Sequence, residues 1–212
     1  MIQRPPRSTH VPSTPLFRSA RVSGMGTTMY TAFSTRVSAA DTLKAYQAYI
    51  LASPYRKMSN ILTGKTIQKL TTEASQIHII DFGILYGFHW PCFIQALSKR
   101  PGGPPKLSIT GIDLPQPGLR PAERVEETGR RLAHYCKKFN VPFEYHAIAR
   151  KWETISLEEL KIDRSETVIA TCLYRLRNVP DETSVTSSAR DTVLHLIKKI
   201  NPDFFVHGVT NG

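Results

Sequence analysis

The stretch IHIIDFGILYGFHWP, residues 77–91, decides which fold the sequence predicts. Its first four residues form a short apolar run that Asp81 and Gly83 close, which is typical of a buried strand. Pro91 then opens a helix that extends through Leu97, because a proline in the first turn of a helix loses no hydrogen bond. His78 lies inside the strand, and we interpret it as a buried core histidine rather than a ligand. The stretch therefore predicts a strand, a turn and a helix.

The same pattern continues toward the C-terminus. Further strands are predicted at residues 107–112, 143–148, 167–173 and 204–209, and helical stretches at residues 121–139, 157–160 and 193–200. Strands that alternate with helices predict a parallel sheet covered on both faces, which is the doubly wound α/β class. Because no helix follows the fifth strand, we expect a fold that is truncated after about five strands.

Helices are predicted before the first strand. Residues 38–41, Ser-Ala-Ala-Asp, match a capping box, and apolar residues at helical spacing follow to about Ala52. Pro54 restarts the chain, and a second helical pattern runs to Leu70 with an interruption near Gly64. We therefore expect residues 20–76 to form a helical lead-in, or cap, and residues 77–212 to form the α/β core.

The first nineteen residues are rich in proline and arginine and contain no acid. They resemble the in-frame translation of a sequencing-library adapter, and we interpret them as a disordered, non-native leader. Without its three arginines the formal net charge falls from +11 to +8. The remaining basic residues come in pairs spread along the chain, with no run of the kind that marks a nucleic-acid patch.

Composition excludes several classes of protein. The mean hydropathy is −0.25 and no apolar run reaches the ~18 residues of a membrane span. The three cysteines, Cys92, Cys136 and Cys172, are too widely spaced to indicate a disulfide framework or a zinc cluster. The seven histidines show no pairing at metal-ligand spacing, so the sequence predicts no metal site. No nucleophile with a partnering base can be nominated, so it predicts no catalytic residue.

One cofactor site stays open as an alternative. Asp81, followed by Gly83 and Gly87, resembles the turn that cradles S-adenosylmethionine in Rossmann-like methyltransferases, and Asp113 ends the second strand where such folds bind ribose. The turn is crowded, however, because Leu85, Tyr86, Phe88 and Trp90 are bulky. Residues 171–174, after the fourth strand, offer no carboxylate or amide to a substrate amine. We favour a structural turn over small-molecule binding here.

Residues Ile77, His78, Ile79, Ile80 and Asp81 resemble the VHIID motif of the GRAS family, plant-specific regulators of transcription. Residues 87–91, 100–105, 109–112, 115–132 and 151–153 are also similar to that family, and most of all to its SCARECROW-like branch of the LISCL type. The resemblance covers about residues 20–212. His89 departs from the family's usual glutamine. Ala170-Thr171 replaces a Val-Asn pair, and this replacement removes an amide from the cleft.

The resemblance implies a nuclear co-regulator that works by protein contacts, on a methyltransferase-like Rossmann fold with a helical cap. Its leucine-rich regions, one ending before residue 77 and one spanning about residues 157–200, would contact other transcription factors or GRAS proteins. DNA contact would be indirect, and neither a cofactor nor a membrane is implied. The family's later PFYRE and SAW regions are absent from the sequence.

Overall fold

A computed structural model describes residues 39–179 and 188–209. In chain order, its helices and strands are α1 (Ala39–Ala52), α2 (Pro54–Leu70), β1 (Gln76–Phe82), α3 (Trp90–Leu97), β2 (Lys106–Asp113), α4 (Glu123–Lys138), β3 (Phe143–Ala149), β4 (Thr167–Leu173), α5 (Ala189–Ile200) and β5 (Phe204–Gly208). The expected leader at residues 1–19 and the capping residue Ser38 lie outside the described residues.

The described strands form one parallel sheet in the order β3-β2-β1-β4-β5. β1 lies at its centre, where Ile79 is in register with Ile109 of β2 and Ile169 of β4. Strand order reverses between β1 and β4, and the chain builds outward from that point in both directions. The predicted α/β doubly wound, Rossmann-like class is confirmed.

β1 carries apolar residues on both of its faces because both faces are buried. Ile77 and Ile79 belong to a core layer shared with α3, α4 and Ile67 of α2. Ile80 and Phe82 belong to a second layer, shared with α5. A strand covered on both sides has no solvent-facing positions, so the usual alternation of apolar and polar residues disappears.

The connection from β3 to β4 departs from the expected alternation of strands with α-helices. The helical stretch predicted at residues 157–160 is a single 3-10 turn, Glu158–Leu160, preceded by another at Trp152–Thr154. Trp152, Ile155 and Leu160 are buried beside the sheet. Their spacings of three and five residues do not follow one stripe of an α-helix, so irregular backbone is needed to bury all three.

The predicted interruption near Gly64 is wrong, because α2 runs unbroken from Pro54 to Leu70. A glycine inside a helix costs about 0.5–1 kcal/mol relative to alanine. Burial of Thr63 and Ile67 anchors α2 on either side of this position. Local propensity is therefore outweighed by tertiary packing.

The sheet topology gathers basic residues that are far apart in the sequence. The last turn of α4 carries Lys137 and Lys138, and the last turn of α5 carries Lys198 and Lys199. Helices between parallel strands return the chain to the edge where strands begin. These pairs therefore lie at the N-terminal edge of the sheet, where their charge also favours the helix dipoles. No helix in the described ranges is long and apolar enough to cross a membrane.

Adding a methyl group at Gly129 should destabilise the fold, whereas adding one at Gly64 should stabilise it. A Cβ at Gly129 of α4 would overlap the ring of Tyr145 on β3, but a Cβ at Gly64 would meet nothing within 4 Å. We expect Gly129→Ala to lower the free energy of unfolding by about 1–3 kcal/mol and Gly64→Ala to raise it by up to about 1 kcal/mol. Urea denaturation of both variants measures the difference, and equal midpoints would contradict the described α4–β3 contact.

Candidate functional site

The candidate site lies where β1, β2 and β4 end, at the reversal of strand order. In open α/β sheets this is where ligands bind. Asp81 and Asp113 lie there, near the end of β1 and at the end of β2, with only 2% and 4% of their surfaces exposed. A buried carboxylate needs a partner, so the arrangement around these two residues decides what the site can bind.

Asp81 is engaged by the helix that follows it. The indole Nε1 of Trp90 donates a hydrogen bond of 2.8 Å to Asp81 Oδ2, and His89 Nε2 lies 3.9 Å from the same oxygen. Burial raises the pKa of Asp81 to about 6, and the bond from Trp90 opposes this rise. Burial also lowers the pKa of His89 to about 4, with a contribution from nearby Arg56. His89 is therefore a neutral neighbour of Asp81 near pH 7.

Asp113 forms a buried ion pair with α4. Arg124 reaches Asp113 Oδ2 through both Nε and a terminal nitrogen, each at 2.8 Å, and the amide of Leu114 donates to Oδ1 at 2.8 Å. Burial raises the pKa of Asp113, while the charge of Arg124 opposes the rise. The carboxylate that the methyltransferase alternative would place on a ribose is therefore bound by a side chain of the same molecule.

The two glycines of the turn are packed against protein. Gly83 and Gly87 have positive φ angles of 92° and 58°. A Cβ at Gly83 would lie 2.6 Å from Cγ of Arg175 and 3.3 Å from the Trp152 ring, and one at Gly87 would lie 3.1 Å from the Thr128 methyl group. Both glycines thus allow neighbouring side chains to approach the turn, in the space where a cofactor would need to approach.

The helices before the sheet cover this edge. Phe88 stacks on Tyr86 at 5.2 Å between ring centroids and contacts Tyr46 of α1 at 5.3 Å. The guanidinium of Arg56 on α2 lies 3.9 Å from the centre of the Tyr174 ring, just beyond β4. α1 and α2 therefore sit as a cap over the carboxyl ends of the strands.

The remaining residues of the family motif form the strand itself. Ile77, Ile79 and Ile80 are fully buried. His78 Nε2 lies 2.8 Å from the Thr110 hydroxyl, and Nδ1 lies 3.2 Å from a carboxylate oxygen of Glu166. Burial lowers the pKa of His78 to about 4, so its ring is neutral near pH 7. His78 is held in the core by its hydrogen bond with Thr110, near the start of β1 and away from the carboxyl ends of the strands.

The sequence predicted that Asp81, Gly83, Gly87 and Asp113 lie together at the carboxyl edge of the sheet. It did not predict which side chains contact them. Arg124 lies eleven residues after Asp113, across the connection from β2 to α4, so its proximity was a local signal that the sequence interpretation did not use. Arg175 approaches Gly83 only because β4 lies beside β1 in the sheet. In the described part of the chain, no group of three or more histidine, cysteine or acidic side chains could hold a metal ion.

The family model of the GRAS domain family matches residues 18–212. The chain belongs to the GRAS family. Scarecrow-like protein 14 of Arabidopsis thaliana is 55% identical over 91% of this chain, and Scarecrow-like protein 30 of the same plant is 54% identical over 91%. A crystal structure of SCL7 from Oryza sativa matches 74% of this chain at 30% identity with a TM-score of 0.61.

These matches confirm the resemblance that the VHIID-like strand indicated. GRAS proteins are plant regulators of transcription, generally nuclear and generally acting with other proteins. This GRAS chain spans 25% and 33% of the length of the two Arabidopsis relatives and 43% of the rice chain. The GRAS motif thus corresponds to the central strand. This strand and the turn that follows it are packed against the protein's own side chains.

Replacing Arg124 should lower the free energy of unfolding far more than replacing Arg120, an exposed arginine just before the same helix. Arg124→Leu leaves the Asp113 carboxylate buried without its partner, which costs about 3–5 kcal/mol of unfolding free energy. Arg120→Leu removes only an exposed pair with Glu123 and should change it by less than about 1 kcal/mol. Chemical denaturation of both variants tests this, and similar small losses would mean that Asp113 is not held by Arg124.

Replacing His89 by the glutamine usual in the family should make the fold less sensitive to acid. The folded state holds His89 neutral down to about pH 4, whereas the unfolded chain protonates it near the ordinary histidine pKa of 6.5. The free energy of unfolding therefore falls as pH drops through that window. Asp81, with its raised pKa, has the opposite slope.

We expect His89→Gln to lose less stability than the parent between about pH 7 and about pH 5. Denaturant midpoints at several pH values measure this, with His134→Gln, on the exposed face of α4, as the matched control. Identical pH profiles for parent and His89→Gln would contradict a buried neutral His89.

Proposed function

We propose that the protein is a nuclear co-regulator of plant transcription, of the LISCL type, that acts through protein contacts and performs no catalysis. Membership of the GRAS family supports the regulatory role. The observation that carries the non-catalytic part is that both carboxylates and both glycines of the cofactor-like turn are engaged by the protein's own side chains. Function then lies on the surfaces around the sheet.

The chemistry of the cleft supports this proposal. A ribose bound at Asp113 would displace Arg124 and leave a guanidinium buried without its carboxylate, which is strongly unfavourable. A cofactor approaching Gly83 would meet Arg175. The methyltransferase alternative, with Gly83, Gly87 and Asp113 binding S-adenosylmethionine, therefore loses the contacts on which it depended.

The proposed organisation assigns a different role to each segment. Residues 1–19 would be a non-native leader, residues 20–76 the cap with the end of the first leucine-rich region, and residues 77–212 part of the GRAS core. The expected partners are other transcription factors or GRAS proteins, in homodimers or heterodimers. DNA would be reached through those partners, because direct binding driven by scattered surface charge would weaken steeply with salt.

A tethering experiment tests the regulatory role. Fused to a heterologous DNA-binding domain in plant protoplasts, the full chain should accumulate in the nucleus and change expression of a reporter that carries the cognate site. The unfused chain should leave that reporter unchanged and should not retain duplex DNA at about 0.2 M salt. If the tethered chain leaves expression of the reporter unchanged, the proposal is overturned.

A second arm tests the cleft. S-adenosylmethionine should not raise the melting temperature of the purified chain, since a ligand stabilises only a folded state that binds it. S-adenosylhomocysteine serves as the comparison, because a methyltransferase usually binds its product as well. Saturable stabilisation by either compound, with matching heat in calorimetry, would restore the methyltransferase alternative.

A further inference from the structure

The outer face of α2 is apolar and basic, and in the described structure nothing covers it. Tyr55, Met58 and Leu62 are large apolar residues with 82%, 57% and 59% of their surfaces exposed. Their spacings of three and four residues place them in one line along the helix. The same spacing continues to Lys65 and Lys69, both exposed. The line has an apolar half toward the N-terminus of α2 and a basic half toward its C-terminus.

The charge of α2 is of one sign. The helix contains four basic residues, Arg56, Lys57, Lys65 and Lys69, and no acid. Arg56 is turned toward Tyr174, whereas the three lysines are exposed. Exposed Lys99 follows the neighbouring α3, which ends at Leu97, and adds a further positive charge to this face of the sheet. The surface therefore combines apolar anchoring points with a positive field.

From this surface we infer that α2 docks an acidic amphipathic helix of a partner protein, an inference that rests on the proposed co-regulator function. A helix laid in a groove is held by apolar anchors at positions i, i+3, i+4 and i+7. Leucine or aromatic anchors of the partner would cover Tyr55, Met58 and Leu62. Glutamate or aspartate flanking those anchors would pair with Lys65 and Lys69, which continue the line, and with Lys57 on the adjoining exposed side of the helix. Such pairs add specificity and speed association.

Charge complementarity disfavours the two other occupants that the given sequence itself offers. A second copy of this chain would bring two α2 helices of equal positive charge together. Residues 1–38 contain five arginines and no acid, so that segment carries the same sign. Like charges placed opposite one another select against such pairings. An acidic partner satisfies both halves of the face.

The direct test is a binding titration of the full chain with a labelled synthetic helix. The probe has leucine and phenylalanine at positions i, i+3, i+4 and i+7 and glutamate at the flanking positions, and a second probe carries lysine in place of each glutamate. We expect the acidic probe to bind and the basic probe not to bind. The substitutions Lys57→Glu, Lys65→Glu and Lys69→Glu together should weaken the acidic probe about tenfold and create affinity for the basic probe.

The matched control carries the same three changes of charge elsewhere. Lys137→Glu, Lys138→Glu and Lys198→Glu alter exposed lysines at the ends of α4 and α5 and should leave binding of the acidic probe unchanged. Met58→Gln with Leu62→Gln removes the anchors without altering charge and should also weaken binding. Circular dichroism of each variant establishes that it is folded before titration.

Several results would overturn the inference. Equal binding of both probes would do so, as would an equal loss of affinity for the acidic probe in the control triple variant. Self-association of the parent chain that Met58→Gln and Leu62→Gln abolish would point instead to a second copy. Preferential binding to vesicles of anionic phospholipid would point to a membrane surface. A chain that regulates the tethered reporter but ignores the probe keeps the proposed function and loses only this docking surface. A chain that binds the probe but leaves the reporter unchanged loses the proposed function instead.

Discussion

Two buried carboxylates, Asp81 and Asp113, impose the constraint on which the rest of this structure depends. Each lies at the carboxyl edge of a central strand with almost no access to water. A carboxylate in that position is tolerated only when a donor or a cation compensates for lost hydration. Trp90 meets this need at the start of α3, and Arg124 meets it near the start of α4. Two polar contacts thereby orient both helices against the sheet.

The same contacts decide what the fold can do. In a nucleotide-binding relative of this architecture, the strand ends are left open so that backbone and carboxylates meet a ligand. Here Trp90, Arg124 and Arg175 lie in that space, and the cap formed by α1 and α2 closes over it. The carboxyl ends of the strands here form an internal polar core. The proposed co-regulator function therefore depends on surfaces elsewhere, such as the outer face of the cap.

The family and most of the fold could be predicted from residues close together in sequence. Strand β1 was recognisable because an apolar run ends at Asp81, and α4 because acids precede and lysines follow its apolar stripe. Those signals are local, since strand burial and helix dipoles act over a few residues. The errors were local too. Gly64 was read as an interruption, and residues 157–160 as more helix than one 3-10 turn.

The sequence by itself determined the order of strands and helices along the chain. It also determined the strand that carries the GRAS motif, and the two carboxylates at the carboxyl ends of β1 and β2. Only the tertiary structure decided which side chains meet them. Arg175 lies 92 residues beyond Gly83, and it reaches that glycine because β4 pairs with β1 on the side opposite β2. The lysine pairs share an edge for the same reason, because parallel topology returns each helix to it. Contacts of this kind depend on the strand order of the whole sheet, which no short window of sequence contains.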